Sequence, residues 1–92
     1  MCAVVQSREH ERLGRAVREL RARRGLSQES LGFRSGLHRN YVGAIERGEI
    51  NPTFRVLMQL ARGLDLQLSE IIYLWELRRD DPAPPRRRRP LR

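Results

Sequence analysis

The chain has 92 residues, a length that allows one small domain, and a formal net charge of +8 at pH 7. All 19 basic residues are arginine, whose guanidinium suits paired contacts with phosphate and guanine, although a GC-rich genome gives the same preference without a functional reason. The single cysteine, Cys2, excludes an internal disulfide, and no segment is apolar enough to span a bilayer.

The N-terminal part of the chain predicts a flexible arm and then a long helix. Residues 1–8 are expected to form the arm, and the helix should run from about Glu9 to Arg24. The residues that face the core at helical spacing are Leu13, Val17 and Leu20. Arg21 lies four residues after Val17 and is therefore expected to point inward as well.

Two short helices joined by a tight turn are predicted between Ser27 and Gly48. Ser27 is a favourable N-cap for the first of them. Gly36 permits the left-handed backbone that a sharp turn needs. Gly32 supplies the small residue required where two helices cross closely. These positions have the spacing of a helix-turn-helix.

The second helix of this pair begins near Arg39 and has two different faces. Val42 and Ile45 lie on one face, three residues apart, and are expected to reach the core. The other face carries polar or small residues at positions i, i+4 and i+7, namely Asn40, Ala44 and Arg47. Such a helix can bury one side and present the other to a partner.

The segment resembles the phage Cro/repressor-like, or XRE, family of DNA-binding domains, and the resemblance covers roughly Arg12 to Trp75. The motifs that carry it are Leu26-Ser27-Gln28, Ile45-Glu46-Arg47-Gly48, Asn51-Pro52-Thr53 and Leu68-Ser69-Glu70-Ile71. The resemblance implies an all-α, compact five-helix bundle spanning residues 9–79. It also implies binding to double-stranded DNA and regulation of transcription.

The family commonly pairs an arginine at the position of Arg21 with the glutamate that Glu46 matches. The resemblance therefore implies an internal ion pair between Arg21 and Glu46, which would tie the first helix to the end of the recognition helix. The alternative is that Arg21 is one more solvated arginine on a basic helix.

The recognition helix is expected to enter a major groove with its first residues toward the base edges. Arg39 can donate to guanine O6 and N7, and Asn40 can pair with adenine or hold a phosphate. Gln28 matches a position that the family uses to grip phosphate. The full set of expected DNA-binding residues is Gln28, His38, Arg39, Asn40, Tyr41, Gly43, Ala44, Arg47, Asn51, Thr53 and Arg55.

Three of these residues have alternative interpretations. His38 precedes the recognition helix and is a candidate for its N-cap as well as for a phosphate contact. Tyr41 is as well suited to a half-buried packing role as to a DNA contact. Gly43 suits either a close approach of DNA or tight packing against the first helix.

The last two helices are predicted from Phe54 to Leu64 and from about Leu68 to Arg79. The expected core face of the first consists of Phe54, Leu57, Met58, Ala61 and Leu64. That of the second consists of Leu68, Ile71, Ile72 and Trp75. Asp65 stands where the family usually has a helix-ending glycine, and Gln67 where it usually has a serine or threonine cap, so this corner is expected to be looser.

The last helix carries more apolar residues than one face can bury. Tyr73, Leu74 and Leu77 remain after the inward face is assigned, which predicts a second buried surface, most simply a homodimer interface. The tail, residues 80–92, is rich in proline and arginine and is expected to be disordered. The tail contributes +3 of the net charge, from five arginines and two aspartates, and residues 1–79 carry the other +5.

No catalytic, metal or cofactor chemistry is expected. His10 and His38 are the only histidines, and neither has a cysteine or carboxylate at metal-ligand spacing. The start of the chain shows no secretion leader, so a soluble cytoplasmic protein without a membrane partner is expected. Two functions compete with DNA-binding regulation. One is an antitoxin-type module whose protein partner binds the last helix or the tail, and the other is a small RNA-binding protein.

Overall fold

The computed structural model describes residues 7–79 and contains five helices and no strand within that range. The helices are α1 (Arg8–Arg23), α2 (Gln28–Ser35), α3 (Arg39–Glu46), α4 (Phe54–Leu64) and α5 (Leu68–Arg78). The predicted all-α five-helix architecture is confirmed. Of the arm predicted for residues 1–8, residues 1–6 lie outside the described residues, as does the disordered tail predicted for residues 80–92, whereas Ser7 and Arg8 belong to the start of α1.

Short-range capping fixes most of the helix ends. Ser7 caps α1, its hydroxyl accepting from the backbone N–H of His10, so α1 begins one residue earlier than predicted. The side chains of Ser27 and Thr53 accept from the backbone N–H three residues on, and they cap α2 and α4 as predicted. Each cap satisfies an N–H group that the first helical turn leaves without an intrahelical acceptor.

Asp65 and Glu70 stabilise the corner between α4 and α5, which the sequence predicted to be looser. Asp65 adopts the left-handed conformation (φ 60°) that a glycine usually supplies, which aspartate tolerates better than most residues. The Glu70 carboxylate accepts from the backbone N–H of Gln67 at 3.2 Å and supports the start of α5.

All five helices contribute to the core, with α4 packed mainly on α2 and α5 mainly on α1. Its buried apolar residues are Ala16, Val17, Leu20, Leu31, Val42, Ile45, Leu60, Ala61, Leu64, Ile71 and Leu74. Of the predicted inward positions on α1 and α3, Val17, Leu20, Val42 and Ile45 are buried, and Leu13 is half-buried against the core.

The predicted core face of α4 was partly wrong. Phe54 and Met58 are exposed, at 66% and 39%, whereas Leu60 is completely buried. The reason is that α4 packs mainly on α2, with Gly63 so close to it that an added Cβ would lie 2.1 Å from the Ser35 Oγ. This contact turns Leu60 inward and leaves Phe54 and Met58 outside.

Leu74 was also wrongly placed by the sequence. It was expected to remain outside the core with Tyr73 and Leu77, but it is 5% exposed and belongs to the core. The reason is that α5 packs chiefly against α1, which buries Ile71 and Leu74 and leaves Trp75 half-buried. Tyr73 and Leu77 are exposed as predicted, at 65% and 55%.

Candidate nucleic-acid interface

The turn between α2 and α3 is fixed by two glycines. Gly36 ends α2 in the left-handed conformation (φ 76°), and the backbone N–H of Leu37 donates to the carbonyl of Gly32 at 2.8 Å. An added Cβ at Gly32 would lie 2.5 Å from the Leu37 carbonyl oxygen. Gly32 is therefore needed as predicted, but it makes room for the backbone of the turn itself.

The first residues of α3 are presented to solvent. His38 is the N-cap, because its Nδ1 accepts from the backbone N–H of Asn40 at 3.0 Å. The side chains of His38, Arg39 and Asn40 are all exposed, while Val42 and Ile45 anchor the opposite face of the helix in the core. This arrangement places hydrogen-bonding side chains at the exposed start of a firmly held helix.

The C-terminal end of α3 is tied to α1 by an internal ion pair. Arg21 donates to Glu46 through Nε at 2.6 Å and through Nη2 at 3.0 Å, and its Nη1 donates to the carbonyl of Leu26 at 2.8 Å. Only 3% of the Glu46 side chain and 16% of the Arg21 side chain is exposed. The hydrogen bonds from Arg21 to Glu46 raise the pKa of Arg21 above its ordinary value, although burial opposes this.

The structure gives Gln28 a role that the sequence did not predict. Its side-chain nitrogen donates to Glu46 Oε1 at 2.9 Å, so Gln28 also connects α2 to the end of α3. Glu46 thus accepts from two residues on two other helices. The phosphate contact expected for Gln28 stays a prediction, and one N–H group of its amide already donates to Glu46 within the protein.

Two carboxylates, one exposed and one half-buried, lie beside the arginines of α3. Glu29 approaches Arg39, with Oε1 at 3.5 Å from Nη1. Glu49 accepts from Arg47 twice, from Nε at 2.8 Å and from Nη2 at 3.1 Å. Sequence analysis missed both partners.

The middle of α3 is less available than the sequence suggested. Gly43 is buried, and its neighbours are Arg47 and Gln28, so it does not pack against α1. The glycine that packs α1 against α3 is Gly14, where an added Cβ would lie 2.4 Å from the backbone carbonyl oxygens of Ile45 and Glu46. Ala44 is half-buried, and Tyr41 is half-buried against the core, which favours its packing role.

The loop after α3 exposes the remaining predicted residues. Asn51, Thr53 and Arg55 are all exposed. The Thr53 hydroxyl accepts from the backbone N–H of Val56 at 3.2 Å and therefore serves as a cap. Within residues 7–79, no group of three His, Cys, Asp or Glu residues could hold a metal ion, and none of the helices is long and apolar enough to cross a membrane.

The helix-turn-helix family model matches residues 17–71, which include α2, the turn and α3. The chain belongs to the helix-turn-helix family. Membership of this family makes it a DNA-binding transcription regulator rather than an enzyme.

Relatives and solved structures support this assignment. Control protein C.SmaI of Serratia marcescens is 42% identical over 62 residues, which cover 67% of this chain and 74% of that protein. The uncharacterized HTH-type transcriptional regulator YgzD of Bacillus subtilis is 37% identical over 60 residues, covering 65% of this chain and 91% of that protein. The restriction-modification controller protein C.AhdI from Aeromonas hydrophila has a solved structure with a TM-score of 0.64 and 47% identity, covering 65% and 91% of the two chains.

Proposed function

We propose that this protein binds specific sites on double-stranded DNA as a homodimer and regulates transcription from them. The observation that carries the proposal is the exposed start of α3, where Arg39 and Asn40 project from a helix that Val42 and Ile45 hold in the core. A helix of this kind fits the major groove, where arginine can recognise guanine and asparagine can recognise adenine.

The other predicted contacts would position the helix on the DNA backbone. His38 lies at the N-terminus of α3, and Asn51, Thr53 and Arg55 are exposed in the loop and first turn that follow it. Contacts of these residues with phosphate would fix the register of α3 without reading the sequence. Base recognition would then depend mainly on Arg39 and Asn40.

The homodimer is supported by the exposed side of α5. Tyr73 and Leu77 are exposed beside a groove between α1 and α5 that Leu20 and Leu74 also line. Arg23 and Glu70 line the same groove. A two-fold interface brings the same surface of each subunit against itself, so a surface that contains both charges is suited to self-association.

The named relatives favour one kind of regulator. C.SmaI and C.AhdI are described as a control protein and a restriction-modification controller, and both are more than 40% identical to this chain over most of the domain. We therefore propose that this protein is a controller of the same kind, acting at a palindromic operator.

Selection of bound duplexes from a random pool tests the proposal. It should recover a palindrome whose two half-sites lie about one helical turn apart, roughly 34–36 Å between recognition helices. A single asymmetric site would contradict the homodimer. Preferential binding to structured RNA, with no enriched duplex sequence, would contradict DNA regulation.

A further inference from the structure

Arg47, at the end of the recognition helix, has its guanidinium folded back along α3. Its Nη1 lies 3.1 Å from the position that a Cβ on Gly43 would occupy. The absence of a side chain at Gly43 leaves room for the guanidinium in this position. Arg47 therefore covers part of the surface that Gly43 was expected to offer to DNA.

A rigid turn brings Glu49 to this guanidinium. Arg47 is the C-cap of α3, and Gly48 follows in the left-handed conformation (φ 74°). Gly48 packs tightly on α1, since an added Cβ would lie 2.7 Å from the Glu11 Cα. The backbone N–H of Glu49 donates to the carbonyl of Ala44 at 3.0 Å. Backbone contacts thus hold the segment from Arg47 to Glu49 in place in the protein without DNA.

The contact between Arg47 and Glu49 uses the edge of the guanidinium that also binds phosphate. Nε and Nη2 both donate to the carboxylate, at 2.8 and 3.1 Å. These hydrogen bonds raise the pKa of Arg47 and lower the pKa of Glu49, so both groups are charged at neutral pH. A phosphate that needs the same two N–H groups must first displace the carboxylate.

We propose that Glu49 is an internal competitor of DNA phosphate at Arg47, and that this competition limits the affinity for duplex DNA of any sequence. The inference rests on the proposed function, because it assumes that α3 faces DNA. Arg47 and Glu49 are 59% and 38% exposed, so their ion pair is weak enough for DNA to open. Opening it cancels part of the gain from the new phosphate contact and leaves a carboxylate near the DNA backbone.

The pair between Arg39 and Glu29 differs in a way that provides a control. Its shortest N–O distance, from Nη1 of Arg39 to Oε1 of Glu29, is 3.5 Å, and both side chains are well exposed. This distance is longer than a normal hydrogen bond, whereas Arg47 makes two hydrogen bonds to Glu49 at 2.8 and 3.1 Å. Neutralising Glu29 therefore changes the charge beside α3 by the same amount as neutralising Glu49, without freeing a guanidinium edge.

The decisive variant is Glu49→Gln, compared with Glu29→Gln and with Asp65→Asn at the α4–α5 corner. All three variants raise the net charge by one. Glu49→Gln should increase affinity for the selected site and for random duplex by a similar factor, roughly two- to fivefold. It should also steepen the dependence of log affinity on log salt by at most about 0.9, the value of one full phosphate contact, because Arg47 would then contact phosphate in a larger fraction of the complexes. The two control variants should change the slope much less.

A double-mutant cycle tests whether the effect acts through Arg47. In an Arg47→Ala background, Glu49→Gln should raise the affinity for duplex DNA no more than Asp65→Asn does. Equal effects of Glu49→Gln with and without Arg47, or a loss of affinity in Glu49→Gln, would overturn the inference. A Glu49→Gln variant that is folded by circular dichroism and thermal melting but has the salt slope of the wild type would also overturn the inference.

These outcomes are separable from those that test the proposed function. In one outcome, the wild-type protein selects a duplex site, but Glu49→Gln and Asp65→Asn have the same affinity and the same salt slope. This outcome would overturn the role of Glu49 without contradicting DNA regulation. A wild-type protein that selects no duplex sequence would overturn the proposed function, and with it the inference.

Discussion

Arg21 and Glu46 form a two-bonded ion pair that joins α1 to the last residue of the recognition helix. The distances are 2.6 and 3.0 Å, and the carboxylate is almost completely buried. Glu46 directly precedes Arg47, and it also accepts from Gln28 on α2. Glu46 therefore links α3 to both neighbouring helices, which connects stability with the geometry of the proposed DNA-binding surface.

Removal of Glu46 should destabilise the protein strongly. Glu46→Ala leaves Arg21 and Gln28 without their acceptor, and should cost about 3 kcal/mol, the low end for a broken buried pair, because Arg21 is partly exposed. For a domain of this size that corresponds to a melting temperature lower by more than about 10 °C. Glu29→Gln, at an exposed pair, should shift it by only a few degrees. Equal melting curves for wild type and Glu46→Ala would contradict the structural role of the pair.

Two glycines should respond to alanine in opposite ways. Gly14→Ala places a Cβ 2.4 Å from backbone carbonyl oxygens of α3, which cannot move without shifting that helix, so the melting temperature should fall. Gly43→Ala meets the flexible end of Arg47 at 3.1 Å and the Gln28 amide at 3.4 Å, and it gains helix propensity of about 1 kcal/mol, so stability should stay the same or rise. A destabilised Gly43→Ala variant would show that Arg47 cannot yield.

Local signals explain why the helix bounds could be predicted. Ser27, Thr53 and His38 cap helices through contacts within three residues, and Gly36 has the left-handed conformation that its turn requires. Interactions over such short distances along the chain are visible in the sequence. The Arg21–Glu46 pair is not local, and it was expected only from the family resemblance.

Helix orientation could not be predicted in the same way. Phe54 and Met58 share a helical face with Ala61 and Leu64, but the contact of Gly63 with Ser35 on α2 determines which side of α4 turns inward. Similarly, Leu74 is buried because α5 leans on α1. The carboxylates beside Arg39 and Arg47 were missed for the related reason that they depend on how α2 and the following loop are placed around α3.

Glu19 should contribute to stability in a pH-dependent way. Hydrogen bonding from Arg78, aided by the charges of Arg78 and Arg23, lowers the pKa of its carboxyl group. A carboxyl group whose pKa is lower in the folded state stabilises the fold at pH values above the pKa that it has in the unfolded chain. This contribution disappears as the pH falls through the pKa that the group has in the folded protein. Glu19→Gln should therefore lower stability at pH 7 by about 1 kcal/mol or less, as expected for a partly exposed pair.

Thermal melting across the acid range checks this prediction. The melting temperatures of wild type and Glu19→Gln should differ at neutral pH. This difference should disappear as the pH falls below the pKa of the Glu19 carboxyl group in the folded protein. A difference that stays constant with pH would show that the loss comes from packing and not from charge.

Arg39 should determine base preference at one position in each half-site. Arg39→Ala removes a side chain that can donate two hydrogen bonds to guanine, and should cost about 1–3 kcal/mol on the selected site. Affinity for random duplex should fall much less. Titrations of both duplexes at one salt concentration measure the two effects. Equal losses on both duplexes would identify Arg39 as a phosphate contact.

The proposed dimer predicts opposite outcomes for two leucines of α5. Leu77 is 55% exposed, so Leu77→Asp should leave the monomer folded and prevent two apolar surfaces from associating. Leu74 is 5% exposed, so Leu74→Asp should unfold the protein by placing an unpaired charge in the core. Phe33 on α2 is 89% exposed, and Phe33→Asp supplies a matched control that removes exposed apolar area from another surface.

Sedimentation and DNA titration together decide whether α5 forms the interface. Wild type and Phe33→Asp should sediment as dimers and bind the full palindrome, whereas Leu77→Asp should sediment as a folded monomer and bind a single half-site weakly. The loss of affinity follows because two linked recognition helices bind one palindrome far more tightly than two separate ones. A wild-type protein that stays monomeric and still binds its full site as a monomer would contradict the dimer. A Leu77→Asp variant that remains dimeric would place the interface elsewhere on the surface.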